Sequence, residues 1–512
     1  MVEFAIARRR IAAAVVTLAL AASLAGCTVY GQAVATSTPY ASGSPVGFES
    51  YYEQPIVWTS CGERLQCANV KAPTDWADPL SGDITIAINR HMATEQPAIG
   101  DLVINPGGPG ESAVAFVRES SGRAVDSTLR DQFNIVGIDP RGVGESSPVV
   151  CYTDPADLDD ALYGVPTGER GSDEWNASVE SAVIDFGQAC LENTGDLLAH
   201  VDTASAARDM DMIRAAMGNE KLNFLGYSYG TFLGATYADL FPERVGRMVL
   251  DGAIDPTVPP HDSMYGQVVS FERALDAYLA WCVDGGDCPL GDTVTEAGLA
   301  LQVLLADVDA APIENADGRL LGADTLVTAL LWPLYDNAAW PQLSDIIAAT
   351  LNGDTTPAFD SADSYNGRSS DGTYTNTTDA FFAINCVDSP PSDAEIAASI
   401  DAQLLADAPI LGVYMNTSVD GCASWPVPLL GSLSPIRAVG APDILILGTT
   451  NDPATPYEAA VSLSQQMVSA HLVTLDGEGH TAYNRGYTCI DDIVDAYFVD
   501  GVIPVAGITC SA

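Results

Sequence analysis

Between an apolar run, Leu222-Asn223-Phe224-Leu225, and a helix-like stretch over residues 231–237 lies Gly226-Tyr227-Ser228-Tyr229-Gly230. A chain that must pass from strand to helix within one turn needs small residues flanking the reversal, and two glycines supply them. The serine Oγ then projects from the turn. Behind it stands a helix N-terminus, whose free N–H groups favour negative charge.

Further short apolar runs at residues 84–88, 102–105, 134–138, 248–250, 444–447 and 471–475 are bounded by Gly, Pro or Asp, and helix-like segments separate several of them. Strands alternating with helices predict an α/β fold with a mainly parallel sheet covered on both faces. The rhythm breaks over residues 256–379. That stretch reads as helices, including 270–282 and 323–332, followed by a polar loop over 352–378. An inserted helical cap there would lie above the strand ends and restrict what enters a site below it. The core is then split into residues 51–255 and 380–512.

The ends of the chain speak to compartment. Arg8-Arg9-Arg10 precedes an apolar segment over residues 11–24, and Leu24-Ala25-Gly26-Cys27 follows at the distance of a signal-peptidase site. The string resembles a bacterial lipobox. Residues 1–26 are thus expected to be a signal peptide, Cys27 the lipidated first residue of the mature chain, and residues 27–50 a flexible tether to the membrane. The protein is expected on the outer face of the cell membrane, as a monomer. Of 11 cysteines, ten remain besides Cys27, an even number suited to disulfides in an oxidising compartment. Sequential pairing would join Cys61 with Cys67, Cys151 with Cys190, Cys282 with Cys288, Cys386 with Cys422, and Cys489 with Cys510. With no C-x-x-C, no H-E-x-x-H and only five histidines, neither metal nor other cofactor is expected. A formal net charge of -47, with no basic cluster past the N-terminus, speaks against a nucleic-acid partner.

A serine in such a turn needs an imidazole to take its proton and a carboxylate to hold the imidazole, in the chain order acid, then histidine, each in a loop after a strand. Asp452 follows the run 444–447, and His480 follows the run that begins at His471. Thr455-Pro456-Tyr457-Glu458 reads as a capping box, with Thr455 at the N-cap of the next helix. For a developing oxyanion, Tyr229 supplies one backbone N–H by position, and Gly108 of Asn105-Pro106-Gly107-Gly108-Pro109-Gly110 is the choice for the second. Arg141, in the turn over residues 139–146, is expected to bond carbonyls of neighbouring loops.

These motifs, together with Asp139-Pro140-Arg141-Gly142-Val143-Gly144-Glu145-Ser146, Asp452-Pro453-Ala454-Thr455-Pro456 and Gly479-His480, resemble the secreted actinobacterial tripeptidyl aminopeptidase family. Trp58 with Cys61 and Cys67, and Ala383-Ile384-Asn385-Cys386-Val387-Asp388, extend the likeness over nearly the whole mature chain. The family comprises α/β-hydrolase serine peptidases related to proline iminopeptidases, and mycobacterial cell-envelope serine proteases are among its members. The resemblance implies a Ser228–His480–Asp452 peptidase that takes peptide or protein substrates and releases short peptides from free N-termini. The alternatives are a carboxylesterase or an endo-acting protease, which would share those residues. An exopeptidase must bind the substrate ammonium, for which Glu111 and Asp388 are the candidates. Glu111 stands where the family usually carries a small residue.

Overall fold

The computed structural model describes residues 33–41, 43–390, 394–415 and 421–512. The proposed signal peptide and Cys27 lie outside these residues. One 11-stranded sheet organises the chain in the order β1-β2-β3-β4-β6-β5-β7-β8-β11-β12-β13. Its strands are β1 (Ala33–Thr36), β2 (Val57–Gly62), β3 (Leu65–Asp75), β4 (Asp78–His91), β5 (Gly100–Asn105), β6 (Phe133–Ile138), β7 (Leu222–Tyr227), β8 (Val245–Asp251), β11 (Ile444–Asn451), β12 (Ala470–Glu478) and β13 (Ile508–Ser511). A separate two-stranded ribbon pairs β9 (Ile313–Glu314) with β10 (Leu320–Leu321). From β6 to β13 every neighbouring pair in the main sheet is parallel, while β1 to β4 pair antiparallel. This is the α/β-hydrolase arrangement expected from the sequence.

Alternation along the central strands explains why both faces are covered. Phe224, Leu250 and Ile446 enter one apolar cluster, and Leu225, Val249 and Leu447 enter another on the opposite face. Strand order reverses around β5, because the chain steps from β5 to β6 on one side and then returns to β7 on the other. The carboxyl ends of β5 and β7 therefore bound a crevice, level with one another since Asn105 pairs with Gly226. Both glycine-bearing turns singled out in the sequence leave the sheet there.

Three boundaries differ from expectation. The tether is not free throughout residues 27–50: Ala33–Thr36 adds a strand to the edge at β2, the Ser37 hydroxyl donates to the Ala216 carbonyl at 2.6 Å, and Phe48 is buried. Main-chain pairing at an open edge asks little of side chains, which hides it from composition. The polar loop over 352–378 contains a helix, Thr356–Asn366, anchored by a stripe of buried Ala358, Phe359, Ser361 and Ala362. The cap also continues past residue 379. Its apolar cluster includes Leu404, Ala408, Ile410 and Leu411, and the Glu272 carboxylate accepts from the N–H groups of Ile410 and Leu411 at 2.9 and 2.8 Å. Between these parts the return helix Thr377–Asp388 packs Ala380, Ala383, Ile384 and Val387 into the sheet's own core.

All five cysteine pairs predicted from the sequence are disulfides. Arg141 also takes its expected place. Its guanidinium is fully buried, donates to the carbonyls of Pro73, Thr74 and His200, and makes a two-point pair with Asp209 at 2.7 and 2.8 Å. Removing it strands a buried carboxylate. Arg141→Ala should therefore cost about 3–5 kcal/mol, read as a lower urea midpoint at unchanged slope.

Candidate active site

The site begins with a strained turn. Ser228 adopts φ 53° and ψ −123°, a region that non-glycine residues rarely occupy. Its neighbours make the turn possible: a Cβ on Gly226 would lie 2.2 Å from the Gly230 carbonyl oxygen, and one on Gly230 would lie 2.8 Å from the Asn105 carbonyl oxygen. Hydrogen bonds hold it closed. Ser228 N–H donates to the Asp251 carbonyl at 2.9 Å, and the Thr231 N–H and hydroxyl donate to the Ser228 carbonyl at 2.8 and 2.6 Å. The helix Tyr229–Leu240 starts at the next residue.

Asp452 and His480 follow the ends of β11 and β12, which run parallel with Asn451 opposite Glu478. His480 Nδ1 lies 2.8 and 2.9 Å from the two Asp452 carboxylate oxygens. A carboxylate only accepts, so Nδ1 carries the proton and Nε2 is left as the acceptor. Both residues are buried. Asp452 is held in turn by the N–H groups of Ala454, Thr455 and Thr481 and by the Thr455 hydroxyl, at 2.8–3.2 Å.

Thr455 corrects the sequence reading. The following helix is Tyr457–Gln466 with Pro456 at its N-cap, so no Thr455 capping box forms. The hydroxyl goes to Asp452 at 3.0 Å and stands 3.3 Å from His480 Nδ1. A nearby charged acceptor outcompetes a neutral cap. Tyr335, which sequence reasoning missed, brings the cap to the same place. Its carbonyl accepts from His480 N–H at 2.8 Å, and its ring meets the imidazole edge-on at 5.4 Å. Nothing in the local sequence of Tyr335 announces a contact made across 145 residues.

The loop after β5 lies against the turn at Ser228. A Cβ on Gly107 would come within 2.9 Å of Ser228 Cβ and 3.4 Å of the Tyr229 nitrogen. The Gly107 N–H is already used, donating to Asn105 Oδ1 at 3.0 Å. Among the described residues, neither Gly108 N–H nor Tyr229 N–H donates to a protein acceptor. One of these amides follows the serine directly and the other lies in the loop whose Gly107 touches it; a developing oxyanion requires uncommitted donors of this kind.

The family described as TAP-like protein matches residues 408–510, the stretch that carries Asp452 and His480. Over 481 residues the chain is 37% identical to serine protease Hip1 of Mycobacterium tuberculosis, covering 89% of this chain and 91% of that protein. It is 36% identical over 470 residues to carboxylesterase B of the same organism, covering 89% of each, and 32% identical over 475 residues to tripeptidyl aminopeptidase of Streptomyces coelicolor, covering 89% and 86%. The chain belongs to the TAP-like α/β-hydrolase family. It is an enzyme, a serine hydrolase of the peptidase kind.

The two carboxylates considered for ammonium binding occupy different settings in this TAP-like hydrolase. Solvent reaches Glu111, yet protein surrounds it closely enough that desolvation raises its pKa, as for a side chain in a cleft. Its charge is felt by the cap phenols Tyr335 and Tyr365, which are hydrogen-bonded to one another. Asp388 ends the return helix, and its carboxylate is occupied. It accepts from Thr203 N–H at 3.0 and 3.2 Å and from the Thr203 hydroxyl at 2.5 Å, and that hydroxyl also meets the Tyr229 hydroxyl at 2.5 Å. Asp388 therefore ties the return helix to the helix behind Ser228.

Burial pushes the Asp388 carboxyl up to about 7, against the hydrogen bonds from Thr203 that favour its charged form. In the unfolded chain it would ionise near the usual Asp value of about 3.9. Unfolding thus releases a proton between those values, and the stability this group contributes below pH 4 is lost as pH rises through 7. Asp388→Asn cannot ionise. Its melting temperature should match the parent near pH 4 and exceed it at pH 8, in paired thermal scans.

Proposed function

We propose that this hydrolase is exported, is held to the membrane by lipid on Cys27, and removes short peptides, two or three residues long, from free N-termini through an acyl-enzyme. His480 takes the Ser228 proton through Nε2 as Oγ attacks a peptide carbonyl. The Gly108 and Tyr229 amides receive the oxyanion, and Asp452 stabilises the imidazolium. His480 then protonates the departing amine, and a water activated by the same imidazole hydrolyses the ester.

The observation that carries this reading is the commitment of His480 Nδ1 to both Asp452 oxygens, together with the unused amides of Tyr229, next to Ser228, and of Gly108 in the adjoining loop. The relatives named serine protease and tripeptidyl aminopeptidase support a peptide substrate. Export is supported by five disulfides and by the lipobox-like string, and no described helix is long and apolar enough to cross a membrane. The cap supports action at chain ends, because its Tyr335 is bonded to the histidine loop and packs its ring against the imidazole. Ser228→Ala should fold like the parent yet lose fluorophosphonate labelling and all turnover. Labelling that persists on another serine overturns the assignment.

The relative named carboxylesterase B favours a second reading, ester hydrolysis by the same residues. Parallel assays of an alanyl peptide anilide and a short-chain nitrophenyl ester separate the two. For the peptidase, Glu111 would pair with the substrate ammonium, a charged hydrogen bond of about 1.5–3 kcal/mol. Glu111→Gln should raise KM for the free-amine peptide by about tenfold or more while leaving its N-acetylated form unchanged. Equal cleavage of both forms by the parent enzyme rules out amine recognition.

A further inference from the structure

Asp251 ends β8, the neighbour of the strand that carries Ser228, and its side chain is wholly buried. Among the described residues, no lysine or arginine donates to it. Instead its carboxylate accepts from two successive main-chain N–H groups just beyond the catalytic imidazole: Ala482 at 2.9 and 3.0 Å, and Tyr483 at 2.8 Å. The same residue's carbonyl accepts the Ser228 N–H at 2.9 Å. The next residue, Gly252, turns with φ +71° so closely beneath the site that a Cβ there would stand 3.1 Å from His480 Cε1 and 3.1 Å from Thr455 Oγ1.

A buried carboxylate without a cation is costly, so its place needs a compensating gain. Backbone amides of the histidine segment supply part of it. Their spacing matters, because Thr481, between His480 and Ala482, is itself held at φ 67°. The Ala482 and Tyr483 amides, pulled onto Asp251, fix the chain on the far side of that residue, while Tyr335 and Asp452 fix it on the near side. One residue therefore grips the turn at Ser228 through its carbonyl and the histidine segment through its carboxylate.

Resting on the serine-hydrolase reading above, we infer that Asp251 is a positioning residue for the reaction: it sets His480 against Ser228 and places a second negative charge, besides Asp452, near the imidazolium. Substrate does not touch it. The titratable and charged groups around it are His480 and Arg485 on the histidine segment, Tyr483 beside them, and Tyr227 on β7. Burial raises the Asp251 carboxyl to about 6, against the two backbone donors, so it is mostly ionised at neutral pH.

The test is Asp251→Asn, with Asp251→Ala as a second variant, each normalised to the fraction of Ser228 that a fluorophosphonate titrates. Misplacement of the imidazole should lower kcat by about 100-fold with KM changed less than about twofold. The acidic limb of kcat/KM should also move to lower pH, since removing a negative charge makes the imidazolium easier to deprotonate. Added formate should restore part of the loss in Asp251→Ala by occupying the vacated carboxylate position. Both variants are assayed on the alanyl anilide and the nitrophenyl ester; loss on whichever substrate the parent turns over supports the inference, so a wrong choice of substrate class does not count against it. A folded variant with parental kcat and an unmoved limb overturns it. Failure of both variants to fold makes Asp251 a stability element only, and overturns it equally.

Discussion

The turn at Ser228 holds a non-glycine residue in a backbone conformation it would leave if released, and the structure is arranged to keep it there. Strand β7 drives straight into the turn, the helix Tyr229–Leu240 leaves it at once, and the Asp251 carbonyl and Thr231 close it from either side. Strain of this kind costs on the order of 1–3 kcal/mol and persists only where the surroundings overdetermine it. Here they are two neighbouring strands and a glycine loop, all ending at one level of a parallel sheet. The close approach of Gly107 to Ser228 depends on that level, as does the placement of Asp251 opposite Tyr227.

The cap is part of this arrangement. Tyr335 lends a carbonyl to the His480 amide and a ring to its imidazole, so the histidine is clasped between the cap and the Asp452 loop. The return helix, pinned by Asp388 to Thr203 and through it to the Tyr229 hydroxyl, connects the cap's base to the residue whose amide faces the serine. Cap and core thus meet at His480, whose main-chain N–H donates to the Tyr335 carbonyl.

The central strands were legible because parallel strands buried on both faces are continuous apolar runs, as residues 222–225 and 444–447 are. Strands β1 and β2 were not, since their side chains are mostly exposed and they are held by main-chain pairing that leaves no pattern. The helix Thr356–Asn366 hid for a similar reason: a few small anchors among Asp, Ser and Asn read as a loop. Thr455 was misread because a threonine before proline satisfies the grammar of a helix cap, and only the presence of Asp452 within reach redirects its hydroxyl.

Chain order alone lays out a serine between glycines in a strand-to-helix turn, an acid and a histidine after their own later strands, and a glycine loop before them. The sequential pairing of cysteines expected from their positions is the pairing the five disulfides adopt. The surroundings of each acid are set only by the folded chain. Asp251, Asp388 and Glu111 look alike in a chain with 68 acidic residues. They differ in burial and in partners: Asp251 and Asp388 accept from main-chain N–H groups 231 and 185 positions away, which strand register and packing, not local sequence, bring to them.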